Sequence, residues 1–369
     1  MTYSEALFFV GKCLSLKSVP DNTDDVRQTI RSGAVDWEQI VWVSTGQFVF
    51  SALYLQLRRA GLLSELPSDL VEYMKEFADL NRERNRKMIS QVVEITKLLN
   101  ENGITPVFLK GTAHLLDELY EDIAERQVGD IDILVEESEM VRVAEILIDS
   151  GYTPMSEYDP RYFKTTKHYP RLQNYNQVAA VEIHRQILGY PAYKSIDAKT
   201  LMENRKILDL PVTAFVLCDQ HQIIHNILHV QISHDDFYYA RINIRQSYDL
   251  YLLSLRVNPL DVVKSFGKYF NQMNCNLAIT NKILHNPVTL NYASNLQTNL
   301  YIDRISRHIN HPKWNSFSHG ILFLLVRFSR YTLTLIRITY DKKSRDFLFT
   351  LLNDPDWVRQ HVKSYREIF

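Results

Sequence analysis

The chain has 369 residues, 46% of them hydrophobic and 23% charged, and its 42 basic and 43 acidic side chains leave a formal net charge of −1. That length exceeds one typical domain, the composition argues against a disordered or fibrous chain, and the lack of a basic excess argues against a dedicated nucleic-acid binder. Three scattered cysteines, Cys13, Cys218 and Cys275, form no CxxC pair, which argues against a zinc ribbon or disulfide scaffold and fits a reducing, cytoplasmic setting.

The N-terminal stretch MTYSEALFFVGKCLSL has no basic leader and no small-residue cleavage site, so it reads as an amphipathic helix over 3–15 and not as a signal peptide. Helices are expected over 23–31 and over 36–60, the second stopped by Gly61 after a basic turn. Residues 67–101, opened by Pro67-Ser68-Asp69, read as one or two helices. The pattern then changes. ITPVFL at 104–109 is a short apolar strand candidate, 112–120 looks helical, and DIDILV at 130–135 alternates polar and apolar with period 2. A helix over 138–149, a strand over about 162–170 and a strand over 178–188, QVAAVEIHRQI, complete a β-α-β-α-β-β unit. From about 212 the chain reads as helical again, most clearly over 213–233 and 240–256. The stretch GILFLLVRFSRYTLTLIRITY at 320–340 is apolar, but Arg327, Arg330 and Arg337 interrupt it, so no transmembrane segment is expected. It reads as a core helix with a solvated stripe, or alternatively as a surface or interfacial helix. The expected division is an N-terminal helical region 1–80, a core 81–200 and a C-terminal helical region 201–369, an α+β fold with a small mixed sheet.

The chemistry centres on Gly129-Asp130-Ile131-Asp132-Ile133-Leu134-Val135. Residues i and i+2 of a strand share a face, so Asp130 and Asp132 project together while Ile131 and Ile133 face the other way. Two adjacent carboxylates repel unless a cation lies between them, and a hard divalent ion with oxygen ligands, such as Mg²⁺, suits that position. The plain alternative is an edge strand with a solvated acidic face. Leu109-Lys110-Gly111-Thr112 follows one expected strand and opens a helix, where a glycine lets the backbone approach a phosphate and Lys110 adds a charge. In Val181-Glu182-Ile183-His184-Arg185, Glu182 and His184 share one strand face, which makes Glu182 a third carboxylate among apolar neighbours. A salt bridge from Glu182 to Arg185 or another base is the alternative.

Together, LKGT, RQVGDIDILV and VEIHRQI resemble the uncharacterised nucleotidyltransferase family within the DNA polymerase β-like superfamily. The resemblance implies a polymerase β-like core flanked by helical regions. It implies Asp130, Asp132 and Glu182 as catalytic metal ligands, and Lys110, Gly111, Thr112 and Arg126 as nucleotide-binding residues. His184 and Arg245 become candidates for contact with the acceptor or for supporting the site. The implied cofactor is Mg²⁺ or Mn²⁺, and the implied reaction moves an NMP, most simply AMP from ATP, onto a hydroxyl acceptor by a two-metal mechanism. A protein or small-molecule acceptor is favoured over nucleic acid. Thr112 departs from the superfamily's usual Ser, a substitution its hydroxyl tolerates. The NTP base, the acceptor and the oligomeric state stay open.

Weaker signals surround this set. His221, His225 and His229 recur at i, i+4 and i+8, but no HExxH glutamate accompanies them, so packing or hydrogen bonding toward the cleft is preferred over zinc. Arg245 either pairs with Asp249 on its own helix or reaches into the cleft. Arg82, Arg84, Arg86 and Lys87 read as a solvated basic face. Lys164, Lys167 and His168 precede the Glu182 strand and are placed at the cleft rim. Two competing functions remain: a catalytically silent nucleotide-binding scaffold on the same fold, and a purely helical interaction protein in which the DID motif is incidental.

Overall fold

Seven short strands form one mixed sheet among the described residues: β1 Val107–Leu109, β2 Asp130–Leu134, β3 Thr153–Pro154, β4 Leu172–Gln173, β5 Ala180–His184, β6 Arg205–Ile207 and β7 Phe215–Leu217, in the order β3-β4-β5-β2-β1-β7-β6. The computed structural model describes the 369-residue chain except residues 18, 20, 161–165, 190–191, 356–358 and 360–369. Pairing is antiparallel between β1 and β2, and parallel between β2 and β5 and between β1 and β7. Phe108, Ile131, Ile133, Val181 and Ile183 are fully buried, as expected of central strands covered by helices. A mixed sheet in residues 107–184 removes the purely helical reading, and the α+β class stands as expected.

The N-terminal helices run Tyr3–Leu14, Asp21–Arg31, Trp37–Gly46 and Phe50–Arg59. The single helix expected over 36–60 is broken, because Phe48 adopts a left-handed backbone (φ 57°) and Val49 N–H turns back to the Ser44 carbonyl. Residues 67–101 form one helix, Ser68–Glu101. Its buried positions Met74, Ala78, Asn81, Asn85, Met88, Val92, Ile95 and Leu99 alternate steps of four and three, the spacing that keeps a helix face on a core. Two members of that stripe are asparagines, and they fix the approach to the site.

Other expectations need correction. The helix over 112–120 is Lys110–Leu116, and it ends at Asp117, whose N–H returns to the Ala113 carbonyl. The strand over 162–170 falls partly outside the described residues. Within 166–170 the pairing reduces to an isolated bridge from His168 to His184. The helix over 213–233 begins instead as β7, which pairs with β1. A short apolar run such as Phe215-Val216-Leu217 carries no periodicity that separates strand from helix, and its partner strand decides. Helix Asp219–Leu228 follows and passes into a π-helical turn, His229–Ser233. Residues 240–256 resolve into helix Ile244–Ser254.

The late apolar stretch lies in helix Pro312–Tyr340, followed by Lys342–Leu352. It is no core helix: Ile321, Leu325, Phe328, Leu335 and Ile336 are exposed, and the helix packs mainly against Leu296–Asn310, Asp236–Tyr239 and Lys342–Leu352. Among the described residues, no helix is long and apolar enough to cross a membrane.

Candidate active site

The parallel register of β2 and β5 sets Asp132 directly beside Glu182. The period of two then places Asp130, Asp132, Glu182 and His184 on one face of the two strands, while Ile131, Ile133, Val181 and Ile183 fill the core behind it. Ligand atoms of Asp132, Glu182 and His184 all lie within 4.8 Å of one another. His184 Nε2 is 2.8 Å from Asp132 Oδ1 and 3.4 Å from Glu182 Oε2. Arg185 pairs with Glu137 at 2.8 Å and not with Glu182; the base beside Glu182 is Lys110.

The expected repulsion between Asp130 and Asp132 is relieved by the chain's own cations. Lys110 Nζ is 2.5 Å from Asp132 Oδ1 and 3.8 Å from Glu182 Oε2. Arg171, just before β4, pairs with Asp130. The two carboxylates therefore differ. Burial would push Asp132 up, but Lys110 and His184 outweigh it and hold its carboxyl far below the usual range. Asp130 is raised, because its desolvation and the neighbouring Glu182 and Asp132 charges outweigh Arg171. Glu182 is lowered, chiefly by its hydrogen bond with His184, against its own desolvation.

Lys110 reaches the carboxylates because β1 ends at Leu109, opposite Asp132, and the chain then turns through a left-handed residue, Lys110 at φ 53°. Gly111 permits this turn: a Cβ there would stand 3.0 Å from a Val128 methyl and 3.6 Å from the Arg126 guanidinium carbon. The Thr112 hydroxyl donates to the Asp130 carbonyl at 2.9 Å, tying helix Lys110–Leu116 to β2, and Thr112 does not line the cavity described below.

Arg126 is buried and held by Asp249, with Nη2 at 3.0 Å from Oδ2 and Nε at 3.1 Å from both carboxylate oxygens. Tyr120 OH donates to the same carboxylate at 2.6 Å, and His114 Nδ1 lies 3.6 Å away. Against the cost of burial, Arg126, His114 and Tyr120 hold the Asp249 carboxyl well below its ordinary value. Asp249 thus takes Arg126, and Arg245 is left to the cleft. His114, Arg126 and Asp249, with Lys110, Gly111, Asp130, Asp132, Glu182 and Arg245, line a cavity of about 390 Å³.

A family model described as uncharacterised nucleotidyltransferase matches residues 33–285. The chain belongs to this family. No curated protein and no solved structure matches it. The matched span contains the whole sheet and every residue that lines the cavity, so the nucleotidyltransferase region and the site coincide, while helices Leu296–Asn310, Pro312–Tyr340 and Lys342–Leu352 lie beyond it.

The opposite wall of the nucleotidyltransferase cavity comes from helices Asp219–Leu228 and Ile244–Ser254 and the π-helical turn. His225 and His229 line it and His221 does not. Burial lowers His225 and His229 well below ordinary imidazole values. Arg245 stacks on the broken helix, its guanidinium carbon 4.8 Å from the centre of the Phe48 ring. The sequence carried no signal for Arg171, whose place depends on the pairing of β4 with β5, nor for Asp249 as the anchor of Arg126, which lies 123 positions away in the chain.

Proposed function

We propose that this nucleotidyltransferase moves a nucleoside monophosphate, most simply AMP, from an Mg²⁺- or Mn²⁺-bound NTP to a hydroxyl acceptor in the cytoplasm. The observation that carries the reading is the convergence of Asp132, Glu182 and His184 within 4.8 Å, beside Asp130 and Lys110 on one cavity. The donor set suits such an ion: carboxylate oxygens are the ligands a hard divalent cation takes. A divalent ion so held stabilises charge on the entering and leaving oxygens of the displacement.

Asp132 and Glu182 would hold that ion through their oxygens, and Asp130, which pairs with Arg171 in this structure, would be a third ligand. His184 orients both carboxylates through Nε2. Lys110 is the group that neutralises Asp132 and Glu182 in the metal-free protein, and it passes to a phosphate oxygen when substrate enters. Gly111 keeps the backbone open for the phosphates, and Arg126, stiffened by Asp249, meets charge on the pyrophosphate. Thr112 acts from behind, by fixing Asp130 through its carbonyl. Glu182 is also the proposed base for the acceptor's hydroxyl proton. The near-neutral charge of the chain favours a protein or small-molecule acceptor over nucleic acid.

The test is incubation of the full chain with each labelled NTP, Mg²⁺ or Mn²⁺ and a cell lysate. Label moves in the wild type, and Asp132→Ala lowers transfer by at least roughly a hundredfold, because each 1.36 kcal/mol of lost transition-state stabilisation is tenfold in rate. The thermal stabilisation by Mg²⁺–NTP disappears in the same variant. Transfer that survives Asp132→Ala would sink the mechanism, and binding of Mg²⁺–NTP with no transfer to any lysate component would favour a silent scaffold.

A further inference from the structure

Two cations that line the cavity form no ion pair among the described residues. Each acidic side chain that lines the cavity already has a cationic partner: Asp130 has Arg171, Asp132 and Glu182 share Lys110, and Asp249 has Arg126. Lys167 and Arg245 line the same cavity, and among the described residues neither side chain makes a hydrogen bond or an ion pair. Arg245 Nε is buried without a partner, and the Phe48 ring holds the guanidinium in place. Burial, and then the nearby Arg126 charge, push Arg245 down to about 10, and burial followed by Lys110 lowers Lys167. A desolvated cation without a counter-charge is costly to keep. Two of them on one cavity are explained by an anion that binds there.

The histidines complete the set. His229 and His234 have ring centroids 4.3 Å apart, and both line the cavity. His234 lies within electrostatic reach of both Lys167 and Arg245. The π-helical turn His229–Ser233 separates the two rings in sequence, and such turns recur at functional sites because they re-aim side chains.

We propose that Lys167 and Arg245, with the N–H groups of His229 and His234 on the same cavity, form a binding site for a phosphate group. Two cations and further N–H donors around a small volume match a compact, multiply charged oxyanion better than any neutral group. The proposal rests on the nucleotidyl-transfer reading, which brings phosphate to this cavity either as the NTP tail or on the acceptor.

Calorimetric titration of the full chain with inorganic pyrophosphate in EDTA tests it without metal or turnover. Wild-type protein binds, and Arg245→Gln and Lys167→Gln each weaken binding at least about tenfold, with Arg245→Lys recovering part of the loss. Neither Gln variant melts below wild type, since each removes an uncompensated charge; a purely structural role for either residue would lower the melting temperature instead. Pyrophosphate affinity unchanged in both Gln variants, or binding that depends on Lys110 alone, overturns the site even if nucleotidyl transfer is intact. Conversely, binding through Arg245 and Lys167 in a protein that transfers no nucleotide keeps the site and removes the transfer reading. Repeating the titration with a saturating non-hydrolysable NTP and Mg²⁺ identifies the source. Competition assigns the site to the NTP tail, and simultaneous binding assigns it to an acceptor that carries phosphate.

Discussion

Asp132 and Asp236 show that burial alone does not set the ionisation of a carboxyl; its neighbours do. Asp132 is buried against Lys110 and His184 and stays ionised. Asp236, equally hidden at the start of helix Asp236–Tyr239, has Arg241 at 3.9 Å as its ion-pair partner among the described residues, and desolvation raises it to about 7. A carboxyl whose folded pKa is raised contributes stability that is fully present below its unfolded pKa, near 4, and lost as pH rises through about 7. Asp236→Asn mimics the protonated form at every pH. Thermal unfolding should therefore show the variant level with wild type near pH 4 and more stable by about 1–2 kcal/mol at pH 8, the scale of an unpaired buried polar group. An identical difference at both pH values would rule out the titration. The residues of the carboxylate set were legible in the sequence because DID and VEIHR are local patterns. The charges that neutralise the set, Lys110 excepted as a motif residue, were not legible.

At the scale of elements, the segment that leads into β2 is held by the long helix. Asn81 Nδ2 donates to the carbonyls of Ala124 and Arg126 at 2.8 and 3.2 Å, and Asn85 Nδ2 to those of Ile123 and Arg126 at 2.6 and 2.8 Å. Arg84 adds bonds to the carbonyls of Val128 and Gly129. The stretch NRERNRK, read as a solvated basic face, is therefore half strap: Asn81 and Asn85 lie on its buried side, and Arg82 pairs with Asp122 at 2.8 Å. The helical period places these asparagines on the apolar stripe, but only the loop packed against them shows why they are polar. Asn85→Leu would continue that stripe yet leave the Ile123 carbonyl without its side-chain donor and the Arg126 carbonyl with Asn81 alone, a cost of about 1–3 kcal/mol. Chemical denaturation should register that loss, and Mg²⁺–NTP affinity should fall with it because Arg126 is no longer fixed. Full stability in the Leu variant would show that the strap is dispensable.

Across the whole molecule, burial divides the chain into a sheet-centred body and a late helical pair with bare apolar flanks. Phe108, fully buried in β1, and Phe328, 71% exposed on helix Pro312–Tyr340, are the same residue type in opposite settings. Phe108→Ala should cost about 3–5 kcal/mol through lost transfer energy and a cavity, whereas Phe328→Ser should change unfolding by no more than about 0.5 kcal/mol. Urea titrations of the two variants compare them directly. A large loss at Phe328 would mean that the late helix is buried in solution.

The local sequence determined which side chains share a face: a period of two paired Asp130 with Asp132 and Glu182 with His184, and a glycine after Lys110 marked the turn that brings the lysine to them. Those relations are set within a few residues, so composition and spacing carry them. Tertiary structure decided everything that joins distant segments. It paired β7 with β1 where a helix was expected, matched Arg171 to Asp130 and Arg126 to Asp249, and left Lys167 and Arg245 without counter-charges on the cavity wall. These outcomes depend on strand order, register and packing, which bring together residues that no local period relates.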